Sequence, residues 1–228
     1  MKTLRFALMA AVAVGLAACG TDDAAVADAD GDVSTAGTFV DAPALPSGTY
    51  AIDASHSRAE FRVRHLGITN VTGGFDSVTG TLEVGDGLGS LQANAVIDAS
   101  TINTGNADRD NHLRSPDFFD VAQYPEITFN TTAVRPGDGG AFTLVGDLTM
   151  HGVTQPVELD AEYLGSVTAM DGTEKVGFVA SGEIDRTAYG LTWNQALEAG
   201  GVLVGEQVTL DLEIQADLQA GEEAASEA

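Results

Sequence analysis

The sequence predicts an all-β domain, built as an antiparallel barrel or sandwich of eight or nine strands. Apolar and polar residues alternate with a period of two along most of the chain, which is typical of strands with one face in water. Clusters of Gly, Asp and Pro predict turns at 85–89, 136–140, 152–156 and 171–172. Only two short stretches have helical character, which favours a barrel or a sandwich over any mixed class.

The predicted strands follow one another in order along the chain. The first lies near 50–53, and the second lies near 60–64, where charged and apolar residues alternate. The alternating faces of the later strands fall within 78–84, 91–99, 127–133, 142–148, 157–163, 176–184 and 208–216. One or two short helical turns are predicted over 108–120, where Pro116 interrupts them, and another turn is predicted over 194–199.

Many apolar faces carry small residues, which bears on whether a barrel would be filled. These residues are Ala93, Ala95, Ala99, Ala133, Gly146, Ala161, Ala180 and Gly182. An eight-stranded barrel is just wide enough to be filled by side chains or to hold one small ligand. The small residues fit a ligand-sized channel, and they fit equally a core in which an internal helix or opposing aromatic rings pack closely. The residues alone leave both alternatives open.

The beginning of the chain has the pattern of a secretory signal peptide. Lys2 and Arg5 precede an apolar run at 6–16, which is shorter than the ~20 residues that a membrane-spanning helix needs. Leu-Ala-Ala then precedes Cys19, the one cysteine of the chain, and this order resembles a bacterial lipobox. We therefore predict a lipoprotein signal peptide at 1–18 and attachment of acyl chains such as palmitate at Cys19. An ordinary secretory signal with a chance cysteine is the alternative.

Composition divides the rest of the chain into three parts. Residues 19–47 contain the acylated cysteine and a stretch rich in Ala, Asp, Thr and Gly, which predicts a disordered acidic tether. Residues 48–218 form the β domain, and 219–228 form an acidic disordered tail. The domain holds 25 acidic and 8 basic side chains, a net charge of −17 in a chain of −24. Repulsion therefore disfavours nucleic acid and anionic headgroups as partners.

The polar residues show no arrangement typical of a metal centre or a catalytic site. The four histidines are His56, His65, His112 and His151. None of them has the spacing of a zinc site. Asp110, His112 and Ser115 are close in sequence, but no Gly-x-Ser-x-Gly elbow accompanies them. We expect no catalytic residues and no metal, with the histidines as hydrogen-bonding groups at turns, helix ends or a cavity mouth.

Short motifs along the whole domain resemble the YceI-like family. They are Tyr50-x-Ile52-Asp53-x-x-His56-Ser57, Phe61-x-Val63-x-His65, Gly73-x-Phe75, Arg109-Asp110-x-His112-Leu113, Asp117-Phe118-Phe119, Tyr124-Pro125-x-Ile127-x-Phe129, Gly146-x-Leu148-Thr149-x-His151-Gly152-Val153-Thr154, Arg186-x-x-x-Gly190 and Val204-Gly205-x-x-Val208. The resemblance implies an all-β, lipocalin-like antiparallel β-barrel of about eight strands with one or two short helices. It also implies export to the periplasm, no catalytic residues, and binding of a long isoprenoid or similar lipid in an elongated internal channel.

Given this resemblance, we expect lipid-binding residues in two groups. The side chains expected to line the channel or its mouth are Phe61, Phe129, Phe142, Leu144, Phe178 and Trp193. The polar groups expected at the mouth are His56, Arg109, His112 and His151. Such a protein would carry or buffer lipids such as polyprenols or quinones, without a cofactor and without enzymatic activity. The alternatives are a structural or stress-related surface lipoprotein with a side-chain-filled barrel, and a hydrolase or isomerase acting on a lipid headgroup.

Location and partners follow from the same features. Gly20 follows the predicted acylated cysteine, where retention in the bacterial inner membrane usually shows Asp. The sequence thus predicts the periplasmic face of the outer membrane rather than the inner membrane. The expected partners are a long-chain lipid and the membrane, reached through N-terminal acylation. A homodimer is left open.

Overall fold

The computed structural model describes residues 43–198 and 200–220, in which eleven strands and one α-helix are formed. The strands are β1 Gly48–Ile52, β2 Arg58–His65, β3 Thr69–Phe75, β4 Val78–Val84, β5 Gln92–Asp98, β6 Ile102–Asn103, β7 Glu126–Pro136, β8 Ala141–Met150, β9 Val153–Thr168, β10 Glu174–Asp185 and β11 Val204–Leu218. The helix, α1, spans Ala107–Arg114. The predicted signal peptide, Cys19, residues 20–42 of the tether and residues 221–228 of the tail lie outside the described residues.

Eight of these strands close into an antiparallel barrel in the order β1-β4-β5-β7-β8-β9-β10-β11. The barrel closes because β1 pairs with both β4 and β11. Strand β11 pairs with β10 along one edge, and its other edge is long enough for two strands, β1 near the C-terminal end and β2 along Val204–Glu213. Strands β2, β3 and β6 therefore extend the sheet beyond the barrel. The predicted antiparallel barrel of about eight strands with a short helix is confirmed.

The alternation of the sequence decides which face of each strand is buried. In β9, Val157, Leu159, Ala161 and Tyr163 are buried, and the residues between them are exposed. Strand β8 shows the same alternation, with its apolar side chains inward. Burial of this apolar face is the main stabilising term for such a sheet, at roughly 25 cal/mol per Å². The core is therefore the inner surface of the barrel.

The packed part of the chain begins before Gly48, within the segment that the sequence assigns to the tether. Leu45 is only 6% exposed. The Tyr50 hydroxyl donates a hydrogen bond to the Pro46 carbonyl at 2.8 Å, and the Tyr163 hydroxyl donates one to the Ala44 carbonyl at 3.2 Å. Residues 43–47 thus lie against the barrel at the end where β1 begins, and the chain enters the barrel there.

Helix α1 occupies the first part of the predicted helical segment 108–120, and the rest of that segment forms turns. The Asn106 side chain accepts a hydrogen bond from the Arg109 N–H at 3.0 Å, which caps the first turn. The helix ends at Arg114, and its cap residue Ser115 is already extended because the ring of Pro116 disfavours helical backbone in the residue before it. By contrast, residues 194–198 form no helix, and Ala196 instead forms an isolated bridge with Val202.

Two further local expectations are wrong for structural reasons, and strands β3 and β6 were not predicted. Ala133 is exposed rather than inward, because a bulge between Thr131 and Ala133 inserts one residue and reverses the face of β7. The turn expected at 152–156 is confined to 151–152, where both residues have positive φ, and β9 starts at Val153. Strand β3 was not expected, because its sequence TNVTGGF is short of large apolar residues.

Candidate functional site: an apolar cavity inside the barrel

The barrel encloses a cavity of about 380 Å³, within the range of small-molecule sites in proteins. All but five of the residues that line it are apolar. The five polar lining residues are Glu60, His65, Arg109, His112 and Arg186. The interior of this barrel is therefore not filled by its own side chains, and its wall favours an apolar occupant.

All six side chains predicted to line a channel lie on this wall. They are Phe61 on β2, Phe129 on β7, Phe142 and Leu144 on β8, Phe178 on β10 and Trp193 in the loop after β10. Phe142 and Phe178 meet edge to face with ring centroids 6.4 Å apart, and Phe178 also contacts Tyr163 at 5.2 Å. These contacts hold the rings against the wall, an arrangement that aromatic pairs favour.

The small residues divide between the two roles that the sequence left open. Ala93, Ala95, Ala161 and Ala180 line the cavity, so their size leaves space inside the barrel. Gly146 does the opposite, because a Cβ there would overlap the ring of Phe129. At Gly182, a Cβ would lie 2.7 Å from Leu159 Cδ2. The alanines thus shape the cavity, and the two glycines accommodate neighbouring side chains.

The polar end of the cavity is formed by α1 and the loop after β10. The Arg109 guanidinium donates to the Thr104 hydroxyl at 2.7 Å and to the Thr104 carbonyl at 2.8 Å. The His112 ring packs edge to face against Phe118 and Trp193, with centroid distances of 5.1 and 4.8 Å. Its Nε2 lies 2.9 Å from Asp117 Oδ2. Both predicted mouth residues on α1 therefore reach the cavity in fixed orientations.

Arg186 was not predicted to contact a ligand, but it lines the same end of the cavity and is 4% exposed. Its guanidinium donates to the carbonyl groups of Leu191, Trp193 (3.1 Å), Val204 (3.3 Å) and Gly205 (2.8 Å). Within the described residues it forms no ion pair with a carboxylate. Burial lowers the pKa of this guanidinium, although arginine stays protonated in proteins. A buried positive charge therefore stands beside the cavity.

The other two predicted mouth residues lie outside the cavity wall. His56 is exposed in the turn between β1 and β2, with its Nδ1 2.7 Å from Asp53 Oδ2. Hydrogen bonds from Ser55 and then His56 hold the pKa of Asp53 well below its usual range. His151 has a positive φ in the β8–β9 turn, and its Nδ1 lies 3.2 Å from the Tyr189 carbonyl. Both rings brace turns.

The residues considered for catalysis engage separate partners. The Asp110 carboxylate accepts from the N–H (2.9 Å) and the hydroxyl of Thr104, and the Ser115 hydroxyl donates to the carbonyl of His112 at 2.7 Å. No hydrogen bond therefore joins the Ser115 hydroxyl to the imidazole. In the part of the chain that is described, no group of three His, Cys, Asp or Glu side chains is arranged to hold a metal ion. Nor does that part contain a helix with the length and apolar character needed to cross a membrane.

Comparison with known proteins gives the same architecture. The model of the YceI-like domain family matches residues 50–216. The UPF0312 protein SAB2563 of Staphylococcus aureus is 41% identical over 165 residues, which cover 71% of this chain and 93% of that protein. The crystal structure of the Campylobacter jejuni YCEI protein is similar, with a TM-score of 0.58 and 29% identity over 69% of this chain and 90% of that one.

A polyisoprenoid-binding domain from Saccharophagus degradans, implicated in plant cell wall breakdown, has a TM-score of 0.53 and 20% identity, covering 75% of this chain and 98% of that one. This similarity to the Saccharophagus degradans domain shows a shared fold. The family model spans well over half of the chain, and the staphylococcal relative is matched over almost its whole length. The chain belongs to the YceI-like domain family.

Proposed function

We propose that this protein is a membrane-tethered lipoprotein that binds one long-chain isoprenoid or similar lipid inside its barrel. The observation that carries the proposal is the cavity of about 380 Å³, lined by apolar side chains except at one end. Transfer of a lipid chain from water to such a wall is favourable in proportion to the apolar area buried. The carrier or buffer role needs no catalytic step.

The polar end of the cavity would receive the headgroup. Arg109, His112 and Arg186 line this end, and two of them are permanently charged arginines. A few fixed polar groups at one end of an apolar pocket orient a ligand rather than supply most of its binding energy. This arrangement fits a polyprenol, a quinone or a related lipid whose polar oxygen atoms sit at one end of an apolar chain.

Family membership agrees with the proposal. One structural neighbour is described as a polyisoprenoid-binding domain, although at 20% identity the likeness extends to the fold alone. The Phe, Leu and Ala positions that line the cavity in this chain therefore support the ligand class independently of that protein.

The two alternative functions fit the structure less well. A structural lipoprotein with a filled barrel would leave no cavity, whereas the inner faces of this barrel leave about 380 Å³. A hydrolase acting on a headgroup would need an activated nucleophile, and the Ser115 hydroxyl is engaged by a backbone carbonyl. Binding without turnover is therefore the proposal that the cavity supports best.

The tether and location are part of the proposal and rest on the sequence. A signal peptide at 1–18, acylation at Cys19 and export to the periplasmic face of the outer membrane would keep the barrel close to its lipid source. Replacement Cys19→Ser should remove the diacylglyceryl mass and detergent partitioning of the full chain. Retention of both properties would contradict acylation at this residue. Homodimer formation stays a prediction, which light scattering would check.

Trp193 offers a direct test of binding, because it is the one tryptophan of the chain and it lines the cavity. Delipidated full-length protein should show saturable quenching of Trp193 fluorescence by a long-chain quinone, with an endpoint of one lipid per chain. The matched control is the same quinone ring without its isoprenoid tail, which should quench weakly and without saturation. Equal quenching by the two compounds would contradict burial of the chain in the barrel.

A further inference from the structure

The end of the cavity that lies opposite the polar end is closed by a packed layer of side chains. On β10, the residues that line the cavity run from Phe178 to Arg186, and Arg186 stands at the polar end. One layer beyond Phe178, Tyr163 and Val176 are each 2% exposed and lie outside the cavity wall. The cavity is therefore blind at this end, although β9 and β10 continue past it.

Three buried side chains close this end, and we call them the floor: Leu45, Tyr50 and Tyr163. They are 6%, 0% and 2% exposed. Tyr163 belongs to the inward face of β9, and its ring packs against the cavity-lining ring of Phe178 with a centroid distance of 5.2 Å. The floor thus lies directly behind the deepest part of the cavity.

The floor is held in place by the segment that precedes β1. The hydroxyl groups of Tyr50 and Tyr163 donate hydrogen bonds to the carbonyl groups of Pro46 and Ala44, at 2.8 and 3.2 Å. A hydroxyl that is buried without a partner is unfavourable, so these two bonds fix the direction of both rings. A lipid chain inside the barrel cannot leave through this end while the segment is packed there.

Closure at one end limits the length of chain that the barrel can enclose. Phe142 and Met150 on β8 line the cavity and are eight residues apart, as are Phe178 and Arg186 on β10. At ~3.3 Å per residue and a strand tilt of about 40°, this separation spans roughly 20 Å along the barrel axis. An extended chain advances ~1.1 to ~1.2 Å per bond, as the polypeptide backbone does, so this depth accommodates about 17 bonds, or roughly four isoprene units.

The cavity volume gives a similar limit. A volume of about 380 Å³ holds about 13 carbon atoms, or nearly three isoprene units, at roughly 30 Å³ for each water-sized group. Two different quantities, depth and volume, therefore agree on a short tail. A longer tail would leave its headgroup outside the barrel, beyond the polar groups of Arg109, His112 and Arg186.

We propose that the floor sets the length of the tail that this barrel accepts. A lipid with a tail of about three to four isoprene units, or an acyl chain of about 16 carbon atoms, reaches the floor and has its headgroup at the polar end. This inference rests on the proposed lipid-binding function and adds a tail-length class to it. Longer tails are bound with their excess outside the barrel, so the added carbon atoms do not improve affinity.

The test uses quinones that share one ring and carry tails from about one to about ten isoprene units. Binding to delipidated full-length protein is measured by quenching of Trp193 fluorescence at a fixed detergent concentration. With wild-type protein, we expect the affinity to rise with tail length up to about four units and then to level off or fall.

Replacement Tyr163→Ala removes the ring from the floor and should move this break by about one isoprene unit towards longer tails. For a tail of about five units, the Kd of the variant should be about tenfold lower than that of wild type, because each buried methylene contributes roughly fourfold in affinity. Comparing two proteins with the same quinone cancels the partition of that quinone into detergent. Tyr163→Leu keeps an apolar side chain in the barrel and should move the break in the same direction if Tyr163→Ala does not fold.

Leu164→Ala is the matched control, because Leu164 is the neighbour on β9 and is 58% exposed. This variant should keep the wild-type break. Wild-type affinity that keeps rising to the longest tails would overturn the proposal, because the barrel would then be open at both ends. So would an unchanged break in a Tyr163 variant that retains the circular dichroism of the folded barrel. Absence of binding at every tail length would overturn the proposed lipid binding as well, whereas binding without a break overturns the role of the floor alone.

Discussion

Replacement Ala180→Phe should displace the bound lipid and leave the barrel folded. Ala180 lines the cavity in the middle of β10, opposite Ala161 of β9 and Leu212 of β11. A Phe side chain there directs six additional carbon atoms into the space that the alanines leave. A lipid chain and this ring would compete for the same part of the cavity.

The expected size of the effect follows from the cavity volume. In a filled core, such a change overpacks the interior and costs about 1–3 kcal/mol, which lowers the Tm of a domain of this size by about 2–12 °C. In a cavity of about 380 Å³, the ring finds space, and lipid-free protein should lose less than about 1 kcal/mol. The variant should instead lose the stabilisation by ligand, which is about 2.7 kcal/mol at a hundredfold excess over Kd.

Thermal unfolding by circular dichroism, with and without added lipid, measures both effects. Ser181→Phe is the matched control, because Ser181 is the exposed neighbour on the same strand and its side chain faces outward. We expect lipid to raise the Tm of wild type and of Ser181→Phe, but not that of Ala180→Phe. The reasoning is refuted if Ala180→Phe still responds to lipid, or if it unfolds several degrees lower while wild-type protein shows no lipid response.

Three further predictions concern stability. Tyr189→Phe should raise the Tm by a few degrees, because the buried Tyr189 hydroxyl has no hydrogen-bond partner among the described residues. Burying such an unsatisfied group lowers the free energy of unfolding by about 1–3 kcal/mol. A lower Tm for the variant would show that the hydroxyl does have a partner. Arg186→Lys should lower the free energy of unfolding, measured in urea, by about 2–3 kcal/mol, because one ammonium cannot reach all the carbonyl groups that the guanidinium binds. An unchanged urea midpoint of unfolding would contradict this. Asp53→Asn should destabilise the protein at neutral pH. Because the folded state lowers the pKa of Asp53, its ionised carboxylate stabilises the protein fully above the unfolded pKa of about 3.9, and this stabilisation is lost as pH falls further. The difference in Tm between wild type and variant should therefore narrow below that pH. A Tm difference that stays constant down to strongly acidic pH would contradict this role of Asp53.

The barrel could be predicted from the sequence because alternation is a local property that burial follows. Strands such as β9 and β11 carry their apolar residues at every second position, so the residues of their inner faces can be identified from the sequence. The bulge that turns Ala133 outward was not predictable, because one inserted residue leaves the surrounding composition unchanged. Strand β3 was missed for a related reason, since its pairing with β2 compensates for a weak pattern.

The cavity wall was predictable in its aromatic part and less so in its polar part. Phe61, Phe129 and Phe178 stand on alternating faces that must point inward. Arg186 could not be placed, because its burial depends on carbonyl groups of a loop that is distant in sequence and irregular in conformation. The roles of His56 and His151 likewise depend on turn geometry, which residue type alone does not specify.

The central claim is that the barrel holds a lipid, and the lipid content of the purified protein tests it most directly. Full-length protein should be isolated in mild detergent from its own cells and analysed by native mass spectrometry and organic extraction. We predict one long-chain isoprenoid or similar lipid per chain, lost in Ala180→Phe and retained in Ser181→Phe. Wild-type protein that consistently carries no such lipid, and that binds none when polyprenol or quinone is supplied, would contradict the account.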